Sequence, residues 1–252
     1  MTVTPLQDQT ALVTGSTDGI GAAIATQLAA AGAHVLVTGR DSGRGRDVVA
    51  AVAAAGGTAT FLRADLAGGS AAVTGLAAAV HDTTGRPLDI LVHNAARLVD
   101  PAPTDQVDED VITGVLAVNV TAAFLLTAAF APAMAAAGSG AIINIGSVNG
   151  LIGMAGSALY GASKAALHSL TRSWAAEYGP RGVRVNTIAP GPTLTRRTEA
   201  ISDHLAPMLA RVPSRRASTL DEVAAAAVFL AGPAAANIHG ATLTVDGGWS
   251  AL

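Results

Sequence analysis

The sequence predicts an α/β protein in which a doubly wound parallel sheet carries helices on both faces, with residues 1–252 forming one domain. Three observations predict it. Short runs of β-type residues, among them Thr10-Ala-Leu-Val-Thr14, His34-Val-Leu-Val-Thr38, Leu88-Asp-Ile-Leu-Val92 and Ala141-Ile-Ile-Asn-Ile145, alternate with longer Ala-rich stretches. That alternation is the pattern of repeated βα units. The runs are also strongly apolar, as strands covered on both faces must be. Finally, 252 residues that are 50% hydrophobic and 13% charged suffice for one buried core and leave no room for a second full domain.

Composition also excludes several functions. The net charge is −3 with no basic block, so the electrostatic footprint of a nucleic-acid binder is missing. The absence of cysteine removes disulfides, thiolate metal sites and cysteine nucleophiles. No His/carboxylate cluster points to a catalytic metal. Met1 to Gln9 lacks a basic stretch followed by an apolar one, so no signal peptide is expected. Asn119, Thr121, Thr127 and Pro132 interrupt the apolar stretch Ala117 to Ala137, which favours a buried helix over a membrane span. The expected location is the cytoplasm, with no membrane partner.

Taken in order, the first strand, Thr10 to Thr14, runs into Gly15-Ser16-Thr17-Asp18-Gly19-Ile20-Gly21, and a helical pattern follows from Ala22 to Ala31. Glycines between a strand and a helix let backbone approach a pyrophosphate at the helix N-terminus, where free N–H groups and the dipole favour an anion. The strand His34 to Thr38 completes a βαβ unit, so a dinucleotide is the expected ligand. Further on, Ser42 to Ala55 reads as a helix ended by Gly56-Gly57, Thr58 to Arg63 as the third strand, and Gly69 to Asp82 as the next helix. Leu88 to Val92 is the fourth strand, Val111 to Ala137 one or two long helices, and Gly140 to Gly146 the fifth strand. A helix carries Tyr160 and extends to about Tyr178; Gly182 to Ala189 is the sixth strand. Arg196 to Arg216 turns charged and polar, and with Thr193 to Thr195 it is expected to act as a mobile substrate lid. Asp221 to Leu230 is the last helix, and Gly240 to Asp246 the last strand.

Tyr160 and Lys164 stand four residues apart, one turn along the same helix face. A phenol ordinarily loses its proton near pH 10, and an adjacent ammonium favours the phenolate. The pair therefore suits proton transfer near neutrality. Ser147 follows the fifth strand, which would bring its hydroxyl to face the pair.

The ungapped spacing Thr14-Gly15-x-x-x-Gly19-x-Gly21, with Tyr160-x-x-x-Lys164 and Ser147, resembles the short-chain dehydrogenase/reductase family, and the likeness runs through most of the chain. The resemblance implies a Rossmann-like seven-stranded parallel sheet of order 3-2-1-4-5-6-7 and hydride transfer between a nicotinamide cofactor and a small carbonyl or alcohol substrate. It implies Asn119, Ser147, Tyr160 and Lys164 as the catalytic set. In it Ser147 steadies the substrate oxygen, Tyr160 moves the proton, and Lys164 also binds the nicotinamide ribose. Asn119 holds, through its carbonyl, a water that links Lys164 to solvent. A buried Asn tying two helices together is the competing reading.

The cofactor contacts implied are Gly15, Ser16, Thr17, Asp18, Gly19, Ile20 and Gly21 in the first loop, and Gly39 and Arg40 after the second strand. Asp65 and Leu66 are placed beside the adenine, though Asp65 also reads as a helix cap. Asn94, Ala95 and Ala96 resemble the family's Asn-Ala-Gly element, with Ala96 in place of glycine. Pro190 and Gly191 are expected to lie along the nicotinamide, and Thr195, with Thr193 as the alternative, to bond its carboxamide. An uncharged Gly39 followed by Arg40 leaves room for a 2′-phosphate and offers it a cation, so NADP(H) is preferred. NAD(H) is the alternative should Asp41 or Asp18 take the ribose. His93 reads as structural. Small apolar Val148, Leu151, Ile152 and Met154 point to a largely hydrophobic substrate. The family likeness also implies a homotetramer. The rival readings are an NAD-dependent alcohol dehydrogenase of the same family and a non-catalytic nucleotide sensor.

Overall fold

In the computed structural model, which describes residues 4–199, 206 and 208–251, seven strands form one all-parallel sheet. They are β1 (Thr10–Val13), β2 (His34–Gly39), β3 (Thr58–Arg63), β4 (Ile90–His93), β5 (Gly140–Ile145), β6 (Val183–Pro190) and β7 (Thr242–Val245), in the order 3-2-1-4-5-6-7. The register aligns Leu12 of β1 with Leu36 of β2 on one side and Leu91 of β4 on the other. The expected strands and their order are thus present, with ends shifted by a few residues. Strand order reverses between β1 and β4, and a crevice for ligands opens there at the carboxyl ends.

Helices cover both faces. They are α1 (Gly19–Ala30), α2 (Ser42–Ala54), α3 (Gly69–Thr84), α4 (Glu109–Leu116), α5 (Ala122–Ala137), α6 (Ala158–Tyr178), the short α7 (Arg196–Glu199) and α8 (Leu220–Ala231). Because successive strand residues point to opposite faces, each strand divides its side chains between two cores. Ala11 and Val13 join Ile24 and Leu28 of α1 and Val223 and Ala227 of α8. Leu12, Leu91 and Ile142 join Leu76 of α3, Leu126 and Met134 of α5, and Trp174 of α6.

Glu109–Ala137 is by length and composition apolar enough to cross a membrane. Here a five-residue π turn, Ala117–Thr121, divides it into α4 and α5, and α5 buries Leu126, Phe130, Ala131 and Met134 against the sheet. Ile112, Leu116 and Phe124 remain exposed on the outer side. Of the expected lid, Thr193–Thr195 and α7 are described; residues 200–205 and 207 lie outside the described residues.

Ile142 is fully buried at the centre of the sheet, between β4 and β6. Ile142→Ala should lower unfolding free energy by about 2–5 kcal/mol, read as a lower midpoint in urea with an unchanged slope.

Candidate active site

The glycine-rich loop is shaped by close approaches. Gly15 and Gly19 have φ of +63° and +53°, a region that side chains avoid. A Cβ on Gly15 would lie 2.9 Å from Ala95 Cα, and one on Gly21 would run into Asn94 Nδ2 and the Gly15 carbonyl. By contrast, a Cβ on Gly19 would meet nothing within 4 Å, so open space lies before the N-terminus of α1. Ser16 turns inward: its hydroxyl donates to Val13 O (2.6 Å) and accepts from Thr38 N. Asn94 joins β4 to the loop by donating to Thr14 O (2.9 Å) and Gly15 O (3.0 Å). A loop with spare room and positive φ before a helix N-terminus fits a dinucleotide pyrophosphate.

At the end of β2 a Cβ on Gly39 would lie 2.7 Å from Thr17 Cγ2, so the glycine admits Thr17 of the loop. Arg40 is exposed. Asp41 caps α2 by accepting from Gly43 N and Arg44 N, and its second oxygen takes Arg44 Nε at 3.0 Å. These bonds, the Arg44 backbone N–H first, hold its carboxyl below the usual range. Asp18 caps α1 through Gly19 N and reaches Arg44 at 3.5 Å and Arg196 of α7 at 2.5 Å. Both carboxylates that could serve a ribose are therefore engaged. Asp65 does cap a helix, but the short 3₁₀ turn Leu66–Gly68 rather than α3.

Ser147, Tyr160 and Lys164 come together as expected. Ser147 sits just past β5, buried, with its hydroxyl near enough to the Tyr160 phenol to favour its ionised form. Its hydroxyl also accepts from Asn149 N (3.2 Å), which fixes it as the cap of the turn Val148–Gly150. Lys164 Nζ lies 5.7 Å from the Tyr160 ring centroid and donates to Ile145 O at 2.7 Å. Burial pushes the Tyr160 phenol up, with the Ser147 hydroxyl opposing it, so in this geometry the phenol is not depressed as the sequence suggested. Burial brings Lys164 down to about 8. Asn119, buried in the π turn, accepts Arg97 N at Oδ1 (2.7 Å) and donates to Ser163 Oγ (3.1 Å). A water on its side-chain carbonyl would therefore have to use the second lone pair.

Comparison with known proteins places this arrangement. Residues 15–250 match the family model described as enoyl-(acyl carrier protein) reductase. The chain is 38% identical to the 3-oxoacyl-[acyl-carrier-protein] reductase of Vibrio cholerae over 96% of its own length and 98% of the relative's. It is 44% identical to galactitol 2-dehydrogenase (L-tagatose-forming) of Cereibacter sphaeroides, over 65% of this chain and 66% of that protein. A solved structure described as an NAD(P) dependent gluconate 5-dehydrogenase from Beutenbergia cavernae, with NADP bound at low occupancy, superposes with a TM-score of 0.92 at 41% identity, covering 99% of this chain and all of that one. The chain belongs to the short-chain dehydrogenase/reductase family. This family member is an NAD(P)-dependent oxidoreductase acting on CH–OH groups.

In this dehydrogenase/reductase a cavity of about 580 Å³ opens beside Tyr160, lined by apolar Leu98, Val99, Val111 and Leu159 and by polar Arg97 and Asp108. Of the segment 148–158, Gly156 and Ala158 line it, whereas Val148, Leu151, Ile152 and Met154 do not. The lining is mainly apolar, as expected, but the loop after β4, not the turn after Ser147, supplies most of it. Pro190 ends β6 and Gly191 follows it, where a Cβ on Gly191 would lie 2.8 Å from Asp246 Cα. Thr193 donates to Gly191 O (3.1 Å), and Thr195 shares bonds with Thr198 at the start of α7. His93 is structural as expected: buried against Thr127 at 2.9 Å, its imidazole is brought down by burial to about 3. Among the described residues, no three His, Asp or Glu side chains come together to hold a metal.

Sequence reasoning passed over Arg44 and Arg196, whose only signal was an unusual density of arginine after β2 and β6. It also passed over a property plain in the sequence: Lys164 is the chain's only lysine. Labelling with [¹³Cε]lysine should therefore give one side-chain signal, titrating near pH 8. The folded chain gives up this proton before the unfolded one, so the group makes stability rise with pH from about 8 to about 10.5. A midpoint near 10.5 would contradict the burial argument.

Proposed function

We propose that the protein is an NADP(H)-preferring carbonyl reductase and secondary alcohol dehydrogenase, working in the cytoplasm as a homotetramer on a small substrate. The observation that carries this reading is the buried Lys164 ammonium 5.7 Å from the Tyr160 ring centroid, with the buried Ser147 hydroxyl beside the same phenol. Bound nicotinamide supplies or accepts the hydride. Tyr160, held protonated by burial, gives its proton to the carbonyl oxygen in reduction and recovers it in oxidation. Ser147 donates to that oxygen and stabilises the charge that develops on it. Lys164, anchored on Ile145 O, holds the ribose and presents positive charge to the phenol. Asn119 supports the proton path at the other side of α6, where it meets Ser163.

For the cofactor, the loop residues Gly15 to Gly21, Asp65 and Leu66, Asn94 to Ala96, Pro190, Gly191 and Thr193 or Thr195 form the cradle. Ser16 contributes backbone only, since its hydroxyl is turned inward. Arg40 is the proposed ligand of the 2′-phosphate; engagement of Asp41 as a cap supports this over an NAD-dependent enzyme. Asp18, drawn to Arg44 and Arg196, is the carboxylate that would favour NAD(H) instead. The mainly apolar lining of the cavity beside Tyr160, with Arg97 and Asp108 among it, suits a substrate with an apolar body that also carries a polar group. Exposed Ile112, Leu116 and Phe124 support assembly through α4 and α5.

Tyr160→Phe should lower kcat by several orders of magnitude while NADPH affinity, followed by nicotinamide fluorescence, stays nearly unchanged. Retained turnover would remove the mechanism, and a wild-type chain that binds NADPH yet reduces no carbonyl would revive the sensor reading. Wild-type protein should bind NADPH at least about tenfold more tightly than NADH, about 1.4 kcal/mol, and Arg40→Ala should abolish the difference. Tighter binding of NADH would transfer control of the ribose to Asp18.

A further inference from the structure

Lys164, His168 and Thr171 lie along one face of α6 and all reach the end of β5. Lys164 donates to Ile145 O at 2.7 Å, Ser147 N donates to His168 Nε2 at 3.4 Å, and Asn144 Nδ2 donates to Thr171 Oγ1 at 2.7 Å. The middle contact falls on the residue that bears the proposed catalytic hydroxyl. We infer that His168 is a positioning residue for the reaction: its unprotonated Nε2 accepts the Ser147 backbone N–H and so sets where the Ser147 hydroxyl stands against the Tyr160 phenol.

Two further observations support a specific fit rather than general filling of the core. The imidazole occupies space that glycines leave on both sides of Ser147: a Cβ on Gly146 would run into Nε2, and one on Gly150 would stand 3.1 Å from it. A backbone N–H can only donate, so Nε2 must be the acceptor and the proton must sit on Nδ1. Nδ1 lies 3.5 Å from Thr242 Oγ1 of β7. Burial, then the charges of Lys164 and Arg172 on the same helix, bring the ring down to about 4, so the accepting form persists across the working range. His93 shows the contrast: it is equally buried, but its nitrogen bonds Thr127 of α5, which has no hydrogen bond to Ser147, Tyr160 or Lys164.

This inference rests on Ser147 and Tyr160 being catalytic, and its test separates the two. In His168→Leu, kcat for carbonyl reduction should fall about ten- to a hundredfold, the scale of a misplaced reacting group, with NADPH affinity within about twofold. His168→Gln, whose amide oxygen reaches the Nε2 position, should recover most of the loss, while the shorter His168→Asn should not. Independently of activity, ¹⁵N-histidine spectra of the wild type, assigned by the signal lost in His168→Gln, should show a bare Nε2 and a protonated Nδ1. A protonated Nε2 near neutral pH, undiminished kcat in His168→Leu, or equal losses in the Gln and Asn variants would overturn the positioning role. Full activity in Tyr160→Phe would overturn the catalytic reading and the role together. A normal Tyr160→Phe loss beside undiminished His168→Leu activity would overturn the role alone.

Discussion

The site depends on how α6 is seated on the end of β5. Tyr160 and Lys164 are fixed relative to each other by helix geometry alone, but Ser147 belongs to a different element. Three polar contacts, at Ile145 O, Ser147 N and Asn144, join the helix to that strand end where water is excluded. The lowest rung continues into β6, since Thr171 also meets Thr187 at 2.5 Å. A buried polar group left without its partner loses far more than an exposed one, so these contacts resist sliding of the helix by even a fraction of a turn. The hydroxyl, phenol and ammonium are preorganised as a consequence.

Burial has a second effect. The same exclusion of water that strengthens the contacts disfavours charge, which raises the Tyr160 phenol and lowers the Lys164 ammonium. A protonated phenol beside a lysine that ionises near pH 8 is suited to donating a proton in reduction. The opposite end of the crevice works under different rules. Asp18, Arg44 and Arg196 are about half or more exposed, so their attractions are screened and individually weak. Such a cluster can rearrange around an incoming phosphate at low cost, whereas the Ser147–Tyr160–Lys164 group cannot rearrange without breaking the core.

Much of this was legible beforehand, for identifiable reasons. Strands and helices announced themselves because a sheet buried on both faces needs unbroken apolar runs, and Leu12 between Ala11 and Val13 then had to face the second core. Gly15, Gly19 and Gly21 were legible because only glycine tolerates those backbone angles and approaches. Gly39 has a part the sequence did not show: its bareness admits Thr17, a neighbour twenty-two residues away that no local pattern reveals. The turn Val148–Met154 was expected to line the cavity, and the loop after β4 does most of it instead, since the direction of a loop side chain is set by packing and not by its own composition. Asn119 and Ser16 likewise carried the right residue types while their side chains turned to partners within the protein.

By itself the sequence determined the order of the elements, the placement of a dinucleotide loop after β1 and the one-turn spacing of Tyr160 and Lys164. These follow from periodicity and backbone sterics, which act between near neighbours. Only the tertiary structure decided that Ser147 meets the phenol, that Asp41 is occupied as a cap, and that His168 stands beneath the strand end. Those facts depend on contacts between residues far apart in the chain, and on burial, which exists only once the two cores have closed over the sheet.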